Sequence, residues 1–201
     1  MTGDDLVSLA RRVADALRDH GIEPDGPRVA PPAAVPPALA QRAHPAIRAI
    51  WAVAASVELD WYDETKRLGD DAVAGSLELM TPDEVTEGID DYESILDDEA
   101  DSGSEHLELA RETWLTWTPF QRFASGDCLA LDRDGSVVLW QHDLLGAGPY
   151  YHGLVLGRSL GDFLGTWARV GFAEARDWRK VAQVGGSGLA LDGADWTELY
   201  A

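Results

Sequence analysis

Two short apolar segments joined by a tight turn constrain the fold more than any other feature of this chain. GDCLALD (126–132) and SVVLWQHD (136–143) are rich in β-forming residues, and Arg-Asp-Gly lies between them. Gly135 can adopt the left-handed backbone conformation that a tight hairpin requires. The pattern therefore predicts an antiparallel hairpin. TPFQRFAS (118–125) before it and HGLVLG (152–157) after it have strand character and extend the hairpin into a meander.

Helical periodicity precedes and follows this meander. Residues 4–19 place apolar side chains on one helical face, namely Leu6, Leu9, Val13, Ala14 and Leu17. A second helix is predicted from Pro45 to about Ala55, and a third begins at Ser159, whose side chain can cap it. With further strands at 57–62 and 75–80, we predict an α+β fold. An antiparallel sheet of about four to six strands packs against helices.

The proline content divides the chain. Six prolines lie between residues 24 and 37, and proline lacks an amide donor and has a fixed φ angle, so the segment is predicted to be a stiff connector. The predicted organisation has four parts: an N-terminal helix at 1–21, a Pro-rich connector at 22–37, an α+β domain at 38–172 and a C-terminal extension at 173–201. The structure of the extension is left open.

The charge excludes two classes of partner. The 201 residues include 36 acidic and 16 basic side chains, for a formal net charge of −20. Nucleic acids and anionic membranes both attract proteins through Lys and Arg, so neither is an expected partner. The N-terminus has acids where a signal peptide would be basic and apolar, and the chain has a single cysteine, Cys128. A cytoplasmic location is therefore expected, and the oligomeric state is left open.

Three-quarters of the net charge lies in one stretch, which contributes −15 of the −20. No Lys or Arg occurs between Arg67 and Arg111, whereas the stretch contains fifteen acidic residues. A helix is predicted to start at Thr81-Pro82 and to end near Leu96, followed by a polar, mobile loop at 97–105. Three interpretations stay open: a solvated face that keeps the protein soluble, a surface complementary to a basic protein such as the nucleic-acid groove of a nuclease, and cation capture.

Two tryptophans follow the acidic stretch in the sequence. Trp114 and Trp117 are three residues apart and share a helical face or take opposite faces of a strand. Core packing is the simpler interpretation; an exposed ring beside the acids would be a binding anchor. The candidate partner-binding residues are Asp83, Glu84, Glu87, Asp90, Asp91, Glu93, Asp97, Asp98, Glu99, Asp101, Trp114 and Trp117.

Motifs for catalysis are missing from the sequence. None of the five histidines pairs with another at a spacing that presents two metal ligands, and His142-Asp143 is half of a metal dyad without its other half. Cys128 lies within a strand pattern, where a small buried side chain is expected. No nucleophile elbow or phosphate-binding loop occurs. We therefore predict no catalytic residue, no metal and no cofactor.

The order of the motifs carries a family resemblance. Trp114 to Phe120 reads W-x-x-W-x-P-F, and GDCLALDRDGSVVLWQHD and LVLGRSLGDFLGTW follow it. Upstream, HPAIRAIWAVAASVELDWY and GSLELMTPDEV supply an early helix, a strand, and a second strand followed by a helix. Over about residues 36–172 this order resembles the SUKH superfamily, the domain of the fungal Smi/Knr cell-wall synthesis regulators. Ala55-Ser56 stands where the family often has Asn-Gly.

The resemblance implies a non-enzymatic α+β module that binds proteins. Bacterial members of the superfamily are associated with immunity to polymorphic toxins, many of them nucleases, which they neutralise by direct binding. The family has no universal catalytic residue. Its matched positions are turn, cap and core residues here, including Asp127, Asp132, Gly135, Ser159 and Phe163. The expected function is immunity through binding of a basic toxin or nuclease domain. A regulatory or scaffold role in the same fold and an enzyme hidden in a less obvious constellation are the alternatives.

Overall fold

The chain has an α+β fold, as predicted. A computed structural model describes residues 1–70, 72–101, 103, 106–142, 151–175, 177–183, 188–193 and 195–200. Within them the helices are α1 Gly3–Asp19, α2 Pro37–Arg42, α3 Pro45–Trp51, α4 Pro82–Asp98, α5 Leu107–Trp114, α6 Leu160–Ala168 and α7 Trp178–Val181. The strands are β1 Asp25–Val29, β2 Val57–Tyr62, β3 Ala74–Glu78, β4 Thr118–Arg122, β5 Cys128–Leu131, β6 Val137–Trp140 and β7 Val155–Gly157.

The described strands form two antiparallel sheets instead of the single sheet of four to six strands that we predicted. One sheet has the order β1-β2-β3 and the other β4-β5-β6-β7. They meet at one point, where the Met80 amide donates to the Phe120 carbonyl at 2.9 Å and Leu79 pairs with Gln121. Pro119 has no amide to donate, and the register of β4 shifts between Pro119 and Gln121. Among the described strands, backbone pairing between the two sheets occurs at this point.

The predicted hairpin is confirmed. Strands β5 and β6 pair antiparallel from Cys128↔Trp140 to Leu131↔Val137. Gly135 has a φ of 89°, the left-handed conformation that the turn requires. The carboxylate of Asp132 accepts the amide of Asp134 at 2.9 Å, which closes the turn from within. Every residue of β5 and β6 is buried, so this hairpin forms the centre of its sheet.

Helix α1 belongs to the same core as the sheets. Its buried face contains the five predicted apolar residues, and Thr2 and Asp5 form a reciprocal capping box. The helix contacts α3, α6, β1 and β2. Leu6, Leu9 and Leu17 lie in the same hydrophobic cluster as Trp140 of the second sheet. The predicted division at residue 21 is therefore a division of the sequence and not of the core.

The Pro-rich segment is more than a connector. Residues 25–29 form β1, which pairs with β2 and contains Pro27. Proline is compatible with this position because β1 is an edge strand and Pro27 lies where the β1–β2 register shifts, between Asp25 and Arg28. Helix α2 then begins at Pro37, a residue that suits a first helical turn. The expectation of a plain connector at 22–37 is thus corrected at both ends of the segment.

The C-terminal extension packs on the domain. The Phe172 carbonyl accepts the Ser76 amide at 3.1 Å, and Ala173 pairs with Gly75, so the extension begins along the free edge of β3. Trp178 and Trp196 are buried. Further along, the Leu199 amide donates to the Arg169 carbonyl. The predicted boundary after residue 172 therefore does not mark the end of the folded core.

Candidate functional site

The acidic candidates lie on α4 and on the residues just after it. The acidic face of α4 comprises eight exposed carboxylates: Asp83, Glu87, Asp90, Asp91, Glu93, Asp97, Asp98 and Asp101. The other two acidic candidates are half-buried. Glu84 accepts the Thr81 amide at 2.7 Å in the capping box that starts the helix, and Glu99 is the residue that ends it. Eight of the ten predicted acids are therefore accessible to a partner.

Helix α4 continues to Asp98, two residues beyond its predicted end. Of the loop predicted at 97–105, residues 102, 104 and 105 lie outside the described part of the chain, as does Asp71 of the acidic stretch. Asp97 and Asp98 are thereby placed in the last helical turn. This position brings them next to the negative end of the helix dipole.

The arrangement of charge on α4 is unfavourable for the free protein. Asp83, Glu87 and Asp91 follow one another at four-residue spacing, and so do Glu93 and Asp97. Like charges at this spacing destabilise a helix by roughly 0.2–0.5 kcal/mol per pair. The last turn contains no basic residue that could offset the helix dipole. Helix stability therefore does not explain why these carboxylates are here.

Arg42 is the one basic residue within the described ranges that forms an ion pair with the acidic face. Its guanidinium lies 3.3 Å from the Glu93 carboxylate and also donates to the Leu115 carbonyl. The pair is partly exposed, and such pairs contribute about 0–1 kcal/mol. The rest of the acidic face is exposed and accessible to cations from outside the chain.

Some of the aromatic and apolar side chains around α4 are buried and others are exposed to solvent. Tyr92 packs its ring against Trp114 at 4.9 Å and Trp140 at 5.0 Å, and burial raises its pKa to about 12. Trp114 is fully enclosed, so the prediction that it anchors a partner is wrong: its indole belongs to the core. Ile95 on α4 and Leu109 on the packed helix α5 are the apolar side chains that reach solvent here.

Trp117 is half-buried and stacks on His152 at 4.9 Å between ring centroids. Its ring also lines a cavity of about 400 Å³ together with Thr116, Asp132 and Arg133. Trp117 therefore remains accessible from this cavity, which lies beside the β5–β6 turn. The two tryptophan candidates have different environments, because Trp114 ends α5 inside the core and Trp117 leads into β4.

His152 is mostly buried and takes part in a chain of hydrogen bonds. The Gln141 amide donates to Nδ1 at 3.0 Å, so Nε2 carries the hydrogen and donates to the Thr113 hydroxyl at 2.8 Å. That hydroxyl donates in turn to the Leu109 carbonyl at 2.7 Å. Burial lowers the pKa of His152 to about 4, and the negative charge of Asp127 opposes the shift.

Stability is expected to fall in acid because of His152. The unfolded chain protonates this residue below its ordinary pKa of 6.5, whereas the folded site resists protonation until about pH 4. The free energy of unfolding should therefore drop by roughly 2–3 kcal/mol from this group between pH 7 and pH 4. Urea denaturation across this range, compared with a His152→Gln variant, isolates the effect. The variant should have a flatter profile, and identical slopes would contradict the neutral, buried assignment.

Two cavities lie near the start of the C-terminal extension, and Glu174 lines both of them. The first, of about 430 Å³, is open above β2 and β3 and contains Asp60, Trp61 and Tyr62. The second, of about 520 Å³, is called the cleft below. Its lining includes Phe123, Leu139, Tyr151, Trp178 and Arg179.

Charges around the cleft are mostly paired. Arg179 is bound by both oxygens of Asp177 at 2.9 and 2.7 Å, and its guanidinium lies 3.9 Å from the centre of the Tyr151 ring. Asp127 accepts from Nδ1 of His142 at 2.9 Å. Glu174 differs, because no residue in the described ranges bonds to its carboxylate. Burial and the charge of Asp127 raise its pKa.

Sequence reasoning missed this cleft. Glu174, Asp177 and Arg179 lie in the extension that was left open, and no local pattern relates them to Phe123 or Leu139. Part of the lining of the first cavity could have been predicted from the sequence. Alternation in VELDWY at 57–62 places one set of side chains inside and the other outside, and Tyr62 is indeed 64% exposed at the end of the outward set.

The sequence candidates for metal binding and nucleophilic chemistry are the His142-Asp143 pair and Cys128. No group of three or more potential metal ligands occurs among them, and Asp143 of the His142-Asp143 pair lies outside them. Cys128 is buried, and burial raises the pKa of its thiol to about 12, so the reactive thiolate is strongly disfavoured. No helix in the described part of the chain is long and apolar enough to span a membrane.

Comparisons with known proteins give no relative. No protein-family model, no curated protein and no solved structure matches the chain.

Proposed function

We propose that this chain is a non-enzymatic protein-binding module of the SUKH type, an immunity protein that neutralises a cognate bacterial toxin in the cytoplasm. The observation that carries the proposal is the acidic face of α4, which is exposed and has Arg42 as its ion-pair partner among the described residues. The sequence resemblance over about residues 36–172 supports it. The α+β architecture agrees with the fold that this resemblance implies.

The proposed mechanism is occlusion. Asp83, Glu87 and Asp91 repeat at about 6 Å along the helix axis, because four residues rise 1.5 Å each. A row of carboxylates at this spacing presents regular negative charge to a groove that binds nucleic-acid phosphates. The acidic face would occupy that groove and exclude the substrate of a nuclease toxin. Complementary charge of this kind also accelerates encounter.

The unfavourable placement of the charge is further support. Residues kept for binding often reduce stability, since binding and stability are separate requirements. Asp97 and Asp98 lie at the negative end of the α4 dipole without a basic neighbour in the last turn. A solvated face needs no such placement, because carboxylates near the first turn would give the same solubility without the repulsion.

Neutralising these two residues should stabilise the free protein. Asp97→Asn with Asp98→Asn removes repulsion from the helix dipole and from Glu93, and the free energy of unfolding should rise by about 0.5–1.5 kcal/mol. Urea denaturation at low ionic strength measures the change. The matched control is Asp83→Asn, which removes a favourable charge from the first turn and should lower stability slightly. A loss of stability in the double variant would show that these carboxylates have a structural role.

The direct experiment is capture of toxin domains encoded beside the gene. The chain should co-purify with one of them, inhibit its activity at equimolar concentration and lose affinity as salt rises. Inhibition without salt dependence would contradict the acidic face as the contact. If no toxin is encoded nearby and cellular regulators are captured instead, the immunity role is wrong and a scaffold role takes its place.

A further inference from the structure

The cleft has the composition of a ligand site. Phe123, Leu139 and Trp178 are buried and give it an apolar floor, while Tyr151 and Arg179 lie at its rim. Cavities of about 300–1,000 Å³ with an apolar floor and a few polar groups are typical of binding sites. At about 520 Å³ the cleft is within this range. It accepts one long side chain with its polar end group.

Glu174 contributes an exposed carboxylate to the lining of the cleft. Among the described residues nothing donates to its carboxylate, although Asp127 and Asp177 beside it are paired with His142 and Arg179. Its backbone is held in place, since its amide donates to the Ala74 carbonyl and the preceding residue pairs with β3. The carboxylate is therefore positioned by the fold and has no internal counter-ion in the described part of the chain.

The side chains at the rim indicate which kind of ligand the cleft can bind. The guanidinium of Arg179 lies on the face of Tyr151 and is held by a carboxylate, so the protein already binds one cation here through an aromatic ring and an acid. An anion entering the cleft would be repelled by Glu174. A neutral group would leave this carboxylate without a counter-ion. A cationic side chain with an apolar stem can pack its stem on the apolar floor and pair its charged group with Glu174.

We propose that the cleft binds a lysine or arginine side chain of the protein partner, with its stem on Phe123 and Trp178 and its cationic group at Glu174. The site is separate from the acidic face of α4. It rests on the proposed function in that the partner is a basic protein. It adds a pocket that recognises one particular side chain, whereas α4 supplies a charged surface.

The test uses a defined probe and needs no toxin. N-acetyl-arginine amide is titrated into the ¹⁵N-labelled full chain at low salt, and its neutral isostere N-acetyl-citrulline amide is titrated in parallel. The arginine probe should shift the Trp178 indole and the amides of residues 173–178, and the citrulline probe should not. Glu174→Gln should weaken the arginine probe about fivefold, and Glu174→Asp should retain part of the affinity. The matched control is Glu108→Gln, an exposed acid on α5.

Three outcomes would overturn the cleft site. These are equal binding of both probes, arginine shifts confined to α4, and unchanged affinity in the Glu174→Gln variant. Failure here is distinguishable from failure of the proposed function. Toxin capture that persists in the Glu174→Gln variant with no arginine binding leaves the immunity role intact and removes only the cleft. Arginine binding to the cleft without any captured toxin removes the immunity role instead.

Discussion

Replacing Asp90, Asp91, Asp97 and Asp98 with lysine is expected to weaken binding of the captured toxin domain about 100-fold at low salt. Each exposed carboxylate in a charged interface contributes about 0.5–1 kcal/mol, and reversal adds repulsion to the loss. Four such changes sum to roughly 3 kcal/mol, which corresponds to a factor of about 100. Titration calorimetry or surface plasmon resonance measures the change, and most of it should disappear at high salt.

The control separates the location of the charge from its amount. Four exposed carboxylates elsewhere, Asp4, Asp15, Asp19 and Glu64, are reversed to lysine in a second variant with the same net charge. This variant should bind within a few-fold of the unmodified chain. If both variants lose affinity equally, total charge and not the acidic face drives association. If neither loses affinity, the occlusion mechanism is wrong.

Trp167→Ala is expected to remove a large part of the stability of the fold. The indole is fully buried and packs against Phe163, Phe172 and Trp178. Its N–H donates to the Ala173 carbonyl at 2.7 Å, where the C-terminal extension meets β3. Truncation of such a tryptophan costs about 3–5 kcal/mol, and total stabilities are about 5–15 kcal/mol. The variant should unfold at much lower urea.

The matched change is Trp167→Phe. It keeps an aromatic ring in the same space and loses the hydrogen bond and part of the volume, so the loss should be near 1–2 kcal/mol. Urea denaturation followed by circular dichroism ranks the variants. A Trp167→Ala protein as stable as the unmodified chain would show that the extension is not packed on α6. The structural basis of the cleft would then be lost.

Elements with a strong local pattern could be predicted from the sequence. The five-residue apolar stripe of α1, the Asp-Gly turn before Ser136 and the Ser159 cap of α6 are each confirmed. These features depend on residues a few positions apart, where periodicity and turn chemistry act directly. The α+β class follows from their order along the chain.

Features that depend on distant residues could not be predicted. Strand β1 contains a proline and is stabilised by pairing with β2, about 30 residues later in the chain. The separation into two sheets depends on pairing between strands far apart in the sequence, such as β1 with β2. For Trp114 the sequence left core packing and a surface anchor both open, and the contact with Tyr92 and the burial of the indole decide for the core. Local composition does not record such contacts.

The same difference between local and long-range features applies to the acidic face of α4 and the cleft. The acidic face of α4 could be predicted from the sequence. In an amphipathic helix the charged residues lie opposite the apolar stripe and are therefore exposed to solvent. The cleft could not, since Glu174 and Phe123 are about 50 residues apart and meet because the extension runs along β3. A site assembled by tertiary packing therefore appears only in the folded structure.

Hydrogen–deuterium exchange of the chain, alone and with the captured toxin domain, tests the central claim most directly. The measurement maps the contact without any substitution. If the acidic face of α4 binds the partner, peptides covering residues 82–101 should exchange more slowly in the complex, and peptides of α1 should be unchanged. Protection that leaves residues 82–101 unaffected and falls elsewhere would contradict the account.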